Sequence, residues 1–219
     1  MTLRGFGTVL LLAAAAAAIA APARAQSGDP AAGAYCEPAP QTKLLYSNRG
    51  YLILPKPADA PPLAYSYSIL GTERSVVRAG QFLFDDGGDR WAFESNPEGL
   101  TQFWPLKPQK QFDITRINRY TRGKALVSFV VVGTESIDVG GRSYKSWKIR
   151  RTDHMEGGST TTQLLWYSPD LCTLSAFTDS QQRTITLLRV LKPGDRDYNR
   201  PVARRDGKLV FTDTGEAVK

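Results

Sequence analysis

The sequence predicts an all-β fold, an antiparallel meander that forms an open or partly closed barrel, with few or no helices in the mature chain. Three observations lead to this prediction. Runs rich in Val, Ile, Thr, Tyr, Phe and Trp recur along the chain. Turn signals such as Gly140-Gly141 and Ser168-Pro169-Asp170 separate these runs at regular intervals. No window combines helical apolar spacing with a start and a stop signal. A barrel is favoured over a two-sheet sandwich.

The first clear strand pattern runs from Leu63 to Leu70, where Tyr65, Tyr67 and Ile69 alternate with small polar residues until Gly71 ends the run. Later runs share this β-favouring composition, and each is predicted to form a strand: Gln81 to Phe84, Arg90 to Glu94, Ala125 to Val132, Ser143 to Arg151, Thr160 to Tyr167, Thr173 to Thr178 and Thr184 to Leu191. A short helical turn is expected near Asn96 to Phe103, and a last short strand near Lys208 to Thr212.

Residues 1–25 are predicted to form a secretory signal peptide. Arg4 precedes an apolar run from Val9 to Ala21, and Ala23-Arg24-Ala25 provides an Ala-x-Ala cleavage site. Paired arginines are missing ahead of the apolar run, so the general Sec route is expected. The mature protein is therefore expected to be periplasmic or secreted, in a Gram-negative cell. Cys36 lies too far beyond the cleavage site to be a lipid anchor, and no later apolar run is long enough for a transmembrane span.

The remaining chain divides into three parts by composition. Residues 26–42 are an irregular lead-in, residues 43–191 form the β domain, and residues 192–219 form a basic tail that is mobile or loosely packed along an edge. The formal net charge of +7 falls to about +5 when the two arginines of the signal are removed. This modest excess is typical of a solvated surface. Export makes nucleic acid an improbable partner.

Two cysteines, Cys36 and Cys172, remain in the mature chain. An even number of cysteines in an oxidising compartment predicts a disulfide bond. Because the closed loop would exceed a hundred residues, the chain-entropy relation gives a stabilisation of roughly 4 to 5 kcal/mol. A redox-active pair is disfavoured because the sequence contains no Cys-x-x-Cys motif.

His154 is the only histidine, and it lies beside a predicted hairpin tip together with Asp153 and Glu156. A Ser-His-Asp arrangement would have to use it. A metal site on these three side chains lacks the second spaced His or Cys that zinc sites usually show. An exposed turn histidine is the simpler interpretation.

Asp85, Asp86 and Asp89 surround Gly87-Gly88 in a second acidic cluster. They lack the order of a calcium-binding EF-hand loop, and Asp-Gly sequences are typical of tight turns. No motif for a nucleotide or for a serine nucleophile is present. The sequence therefore predicts no catalytic residue, no metal site and no cofactor.

Aromatic residues are frequent in the predicted strands. Most aromatic side chains at period-two positions are expected to lie in the core. An open barrel would allow some of them to line a concave apolar pocket. The candidates for such a ligand-lining surface are Tyr65, Tyr67, Trp91, Trp147 and Trp166.

Three motifs carry a resemblance to a known group: Phe103-Trp104-Pro105-Leu106-Lys107-Pro108, Val132-Gly133-Thr134-Glu135-Ser136-Ile137-Asp138-Val139, and Trp166-Tyr167-Ser168-Pro169-Asp170-Leu171. From Phe103 to about Leu191 the chain resembles secreted proteobacterial proteins of unknown function. The resemblance implies an antiparallel sheet that curls into a half-barrel, and it implies no active site. Where the group usually has Gly after the Pro-x-Leu turn, this chain has Cys172, which replaces the freedom of positive φ by a covalent restraint.

Three functions compete on this basis. The first is a non-enzymatic periplasmic binding or interaction module, such as an accessory subunit of a cell-envelope assembly. The second is a carrier of a lipid or other apolar ligand in the half-barrel, and the third is a hydrolase of envelope polymers. The expected partner is an envelope protein or an apolar ligand, and the sequence leaves the oligomeric state open.

Overall fold

The computed structural model describes residues 33–56, 58, 64–70, 75–79, 91–93 and 101–219; for residues 64, 65, 75–79 and 91–93 it describes the backbone alone. The described residues form thirteen strands. They are β1 Lys43–Tyr46, β2 Gly50–Leu54, β3 Ala64–Ile69, β4 Ser75–Ala79, β5 Trp91–Phe93, β6 Gln111–Asn118, β7 Lys124–Val139, β8 Arg142–Met155, β9 Thr160–Ser168, β10 Thr173–Thr178, β11 Thr184–Leu191, β12 Val202–Arg205 and β13 Lys208–Phe211. Among these residues the one helical segment is a single 3₁₀ turn at 101–103.

Eleven strands form one antiparallel sheet in the order β4-β3-β2-β1-β11-β10-β9-β8-β7-β6-β5. Two meanders make up this sheet, and β1 joins them by pairing with β11. The edge strands β4 and β5 are consecutive in sequence but are not paired with each other. Ala79 and Trp91 are 12 positions apart, so the connection spans at most about 43 Å. A flat sheet of this size would separate its edges by about 48 Å. The sheet must therefore curl.

The long β7–β8 hairpin contributes to this curl. Its turn, Gly140-Gly141, has positive φ at both residues, as a two-residue type I′ hairpin requires. The pairing register shifts between Val131 and Gly133. A bulge of this kind bends a strand and increases its twist. The far end of the hairpin reaches back over the sheet, so that Val139 packs in the same cluster as Leu187 of β11.

The concave face of the sheet holds two apolar clusters. The first lies on β6–β10, where Val127, Phe129 and Ile149 have no exposed surface, and Phe103 and Leu106 of the 101–106 segment pack against it. The second lies on β1–β3 and β11; its buried members are Leu44, Tyr46, Ile53, Tyr67, Val139, Ile185 and Leu187. Full burial of such a side chain stabilises the fold by about 1.5–3 kcal/mol.

A third cluster lies on the outer face of β1 and contains part of the C-terminal segment. Leu45 and Leu191 pack there against Leu209, Phe211 and Val218. Residues 192–219, assigned to a loosely packed tail from the sequence, thus contribute a strand pair, β12–β13, and buried side chains. β1 is therefore buried on both faces.

The structure confirms the predicted fold class, an open antiparallel half-barrel. The predicted strands Thr173–Thr178 and Thr184–Leu191 occur with the same bounds, whereas β7 and β8 extend well beyond their predicted ends. The signal peptide and the predicted strand at Gln81–Phe84 lie outside the described residues. In the described part of the chain, no helix has the length and apolar character needed to cross a membrane.

Candidate functional site

The disulfide between Cys36 and Cys172 is present, as predicted from the sequence. It attaches the lead-in to the turn after β9. The Tyr167 hydroxyl accepts a hydrogen bond from the Cys36 N–H at 3.0 Å and donates one to the Cys36 carbonyl at 3.2 Å. Burial raises the pKa of Tyr167 to about 12, so the hydroxyl stays protonated and can donate. Cys172 has a φ of +51°, which fits a position where related sequences were expected to carry Gly.

Two of the motifs that carried the sequence resemblance, 103–108 and 166–171, meet at this end of the sheet. Trp104 packs edge-on against Tyr167 with ring centroids 4.9 Å apart, and the ring centroid of Tyr35, in the lead-in, lies 5.0 Å from that of Trp104. Phe103 contacts Phe129 in the first cluster. These contacts show that the motif residues build the core and attach the lead-in, which is a structural role.

The proposed ligand-lining aromatics do not share one surface. Tyr67 is 3% exposed within the second concave cluster, and Trp147 packs against the first. Trp166 lies on the opposite, outer face, because Tyr167 beside it points into the core. The side chains of Tyr65 and Trp91 lie outside the described residues.

On the outer face, Trp166 belongs to a small polar arrangement. Its Nε1–H donates to Glu135 Oε2 at 2.7 Å, and Lys148 donates to Glu135 Oε1 at 2.6 Å. The bond from Lys148, followed by that from Trp166, lowers the pKa of the Glu135 carboxyl. Both carboxylate oxygens are engaged within the protein, so this arrangement stabilises the bulged part of β7.

Asp153, His154 and Glu156 do not form a metal or catalytic site. Asp153 is 6% exposed and accepts hydrogen bonds from Arg116 at 2.7 Å and from Arg151 at 2.6 and 2.7 Å. His154 is exposed and lies on the other face of β8, because successive residues of a strand alternate. Glu156 accepts from the backbone of the neighbouring turn. Within the described chain, no three His, Cys, Asp or Glu side chains converge to hold a metal ion. The aspartates at 85, 86 and 89 lie outside it.

The candidate site is a cleft of about 330 Å³ where the tip of the β7–β8 hairpin meets β11 and the turn at 192–198. Val139 and Tyr144 come from the hairpin, Val190 from β11, and Leu171 from the turn next to the disulfide. These side chains also pack in the second concave cluster, so the floor of the cleft is apolar and supported from below. Its volume is at the lower end of the range for small-molecule pockets.

Three arginines and two aspartates form the rim of the cleft. Both aspartates already accept hydrogen bonds from other groups of the protein. Asp197 accepts from Arg189 and from Arg200, and these bonds lower the pKa of its carboxyl, Arg189 contributing most. Asp195 Oδ2 accepts from the backbone N–H of Lys192 at 2.6 Å.

Arg142 and Arg196 differ from Arg189, the third arginine of the rim, because neither forms an ion pair with any residue that the structure describes. The guanidinium of Arg142 lies 5.9 Å from the centre of the Tyr144 ring, and Arg196 is exposed. Asp195 has a backbone N–H as its partner and keeps its charge, but the three arginines outnumber the two aspartates, so the lining of the cleft carries a net positive charge. The arrangement suits an anionic group attached to an apolar body.

Sequence reasoning did not identify this cleft. It assigned Arg196 to a solvated tail and treated Gly140-Gly141 as a turn, with no role for Arg142. The two arginines are 54 positions apart, and the pairing of β11 with β1 together with the curl of the β7–β8 hairpin brings them together. No local signal marks such a site.

No protein-family profile matches the sequence. No curated protein matches it either. Among solved structures, the chain is similar to the hypothetical lipoprotein YmcC from Escherichia coli (K12), with a TM-score of 0.47 and 10% sequence identity over 73% of this chain and 90% of that one.

Proposed function

We propose that the protein is a non-enzymatic periplasmic interaction module, an accessory subunit of a cell-envelope assembly, and that its cleft binds an acidic, partly apolar segment of a partner protein. The observation that carries the proposal is the pair of cations, Arg142 and Arg196, above an apolar floor whose neighbouring carboxylates are occupied. A carboxylate at this rim would form charge-assisted hydrogen bonds. Apolar side chains beside it would cover the floor.

The charges of the cleft suit binding better than catalysis. General acid–base catalysis needs a group whose pKa lies near the working pH. The hydrogen bonds from Arg189 and Arg200 lower the pKa of Asp197, so this carboxyl stays ionised near neutral pH. Fixed charges of this kind direct the encounter with a partner of opposite charge.

Two features support work in the periplasm. Residues 1–25 have the pattern of a secretory signal, and the Cys36–Cys172 disulfide is of the kind that persists in an oxidising compartment.

The other two functions have less support. The described concave face is occupied by two clusters of buried side chains, which leaves less room for a carried lipid. For a hydrolase, the lone histidine and its neighbour Asp153 face opposite sides of β8, and Asp153 is held between two arginines.

Site-specific photo-crosslinking in the native host tests the proposal. A photoreactive amino acid replaces Asp195 at the cleft, which leaves Arg142 and Arg196 in place, or Ser180 in the turn between β10 and β11 at the other end of the sheet. We expect a defined adduct from position 195 that position 180 does not give. Arg142→Glu should remove the adduct, whereas Arg204→Glu on the exposed part of β12 should retain it. Equal adducts from both positions, or an adduct that survives Arg142→Glu, would refute the assignment.

A further inference from the structure

The turn between β6 and β7 projects an aromatic side chain into solvent on a fixed backbone. The Asn118 side-chain oxygen accepts from the N–H groups of Tyr120 and Thr121, both at 3.0 Å. The Asn118 backbone closes the turn, accepting from Arg122 and donating to Gly123, both at 2.8 Å. On this support, Tyr120 is 74% exposed, the largest value among the exposed large apolar side chains of the described residues.

Positive charge is concentrated around Tyr120. Arg119, Arg122 and Lys124 lie within six consecutive residues, and all three are exposed. The two arginines have no carboxylate partner among the residues that the structure describes. Glu156, on the neighbouring turn, accepts from the backbone N–H of Lys124 at 2.9 Å. The turn therefore keeps a net positive charge.

The turn between β10 and β11, at the same end of the sheet, does not share this excess. In the turn between β10 and β11, Arg183 forms an ion pair with Asp179 at 2.7 Å, which neutralises it. An exposed apolar residue, Leu126, lies on β7 two positions beyond Lys124 and is 43% exposed. Cationic and apolar groups thus occur together at the β6–β7 turn.

We propose that the β6–β7 turn docks the protein on an anionic lipid surface, with Tyr120 at the level of the headgroups and Arg119 and Arg122 on lipid phosphates. Tyrosine is enriched at membrane–water interfaces because its ring is apolar and its hydroxyl is polar. Lys and Arg near an anionic bilayer are attracted by its surface potential. A soluble polyanion would satisfy the arginines but would leave Tyr120 and Leu126 in water. A lipid surface accounts for both groups.

This surface is separate from the cleft. The turn lies at the first residue of β7, whereas the cleft is lined by its last residue, Val139. The 16 residues of β7 would span about 50 Å if fully extended. Docking through the turn therefore leaves the cleft free for a partner, and either proposal can fail without the other.

Vesicle co-sedimentation of the exported, oxidised protein tests the inference. We expect binding to vesicles that contain phosphatidylglycerol and little binding to pure phosphatidylcholine vesicles. Arg119→Gln/Arg122→Gln should lower the partition coefficient by roughly 25-fold, about fivefold for each arginine. Tyr120→Ser should weaken it further. The matched control, Arg204→Gln/Arg205→Gln, changes the net charge by the same amount at an exposed part of β12 and should bind as the wild type does.

Three outcomes would overturn the inference. The first is equal binding to both kinds of vesicle. The second is an equal loss in the control pair, which would show that net charge alone drives binding. The third is unchanged vesicle binding by Tyr120→Ser together with equally tight binding to soluble heparin, which would identify the turn as a polyanion site.

Discussion

Replacing both cysteines separates two contributions of Cys172 to stability. Its sulfur closes the disulfide, and its backbone is held at a φ of +51°. We compare the wild type with Cys36→Ala/Cys172→Ala and with Cys36→Ala/Cys172→Gly. Both variants lack the bridge, and they differ only in the side chain at the position of positive φ.

The magnitudes follow from the geometry. The bridge spans a sequence separation of 136, for which the loop-closure relation gives an upper limit of about 5 kcal/mol. A left-handed conformation costs a non-glycine residue about 1–2 kcal/mol. Glycine loses about 0.5–1 kcal/mol more backbone entropy on folding than alanine does. The glycine variant should therefore be more stable than the alanine variant by about 0.5–1 kcal/mol, and both should be less stable than the oxidised wild type.

Urea unfolding measures these differences. With a slope of about 2 kcal/mol/M, the glycine variant should unfold at about 0.3–0.5 M more urea than the alanine variant. Ala203→Gly, on the exposed part of β12, provides the control and should lower stability, because that residue is an ordinary strand position. A glycine variant no more stable than the alanine variant would show that the reasoning about φ is wrong. An oxidised wild type no more stable than the reduced protein would refute the role of the bridge.

Three further predictions concern single positions. Gly33 and Gly158 have similar backbone conformations, with φ of +81° and +83°. A Cβ at Gly33 would lie 2.4 Å from the backbone oxygen of Leu106, whereas a Cβ at Gly158 would have no atom within 4 Å. Gly33→Ala should therefore lower the urea midpoint far more than Gly158→Ala. Equal losses would contradict the steric argument. Tyr167→Phe removes two hydrogen bonds to the lead-in backbone and should cost about 1–2 kcal/mol by the same assay; an unchanged midpoint would count against it. The pKa of Glu135 is lower in the folded than in the unfolded protein, so its ionised carboxylate stabilises the fold above the unfolded pKa, and this contribution is lost as the pH falls through the folded pKa. Because Trp166 donates a hydrogen bond to this carboxylate, tryptophan fluorescence should change below about pH 4 in the wild type and should not change in Glu135→Gln.

The sequence predicted strands most accurately where turn residues mark both ends of a run. β10 and β11 match their predicted bounds because Ser168-Pro169-Asp170 and the polar turn at 179–183 end the neighbouring runs. β7 was predicted to stop at Val132, yet it continues to Val139 through largely exposed residues. The backbone of β8 supplies hydrogen bonds there whatever side chains are present. Pairing therefore extended a strand that the apolar pattern alone would end.

The candidate site was less accessible to sequence reasoning. Arg142 follows a Gly-Gly turn and Arg196 lies in a segment with alternating charges, and either residue alone is typical of a solvated surface. Whether an arginine forms an ion pair depends on which carboxylates lie beside it in the folded protein. Asp197 is engaged by Arg189, from β11, and by Arg200. Such pairings are set in three dimensions.

The sequence by itself determined the fold class and the disulfide, because alternation and turn chemistry are local, and because the two cysteines of the chain have only each other to pair with. Only the tertiary structure decided how far the sheet curls, on which face each aromatic side chain lies, and which arginines remain unpaired. These features depend on register and on contacts between strands distant in sequence, where a shift of one residue exchanges the two faces of a strand.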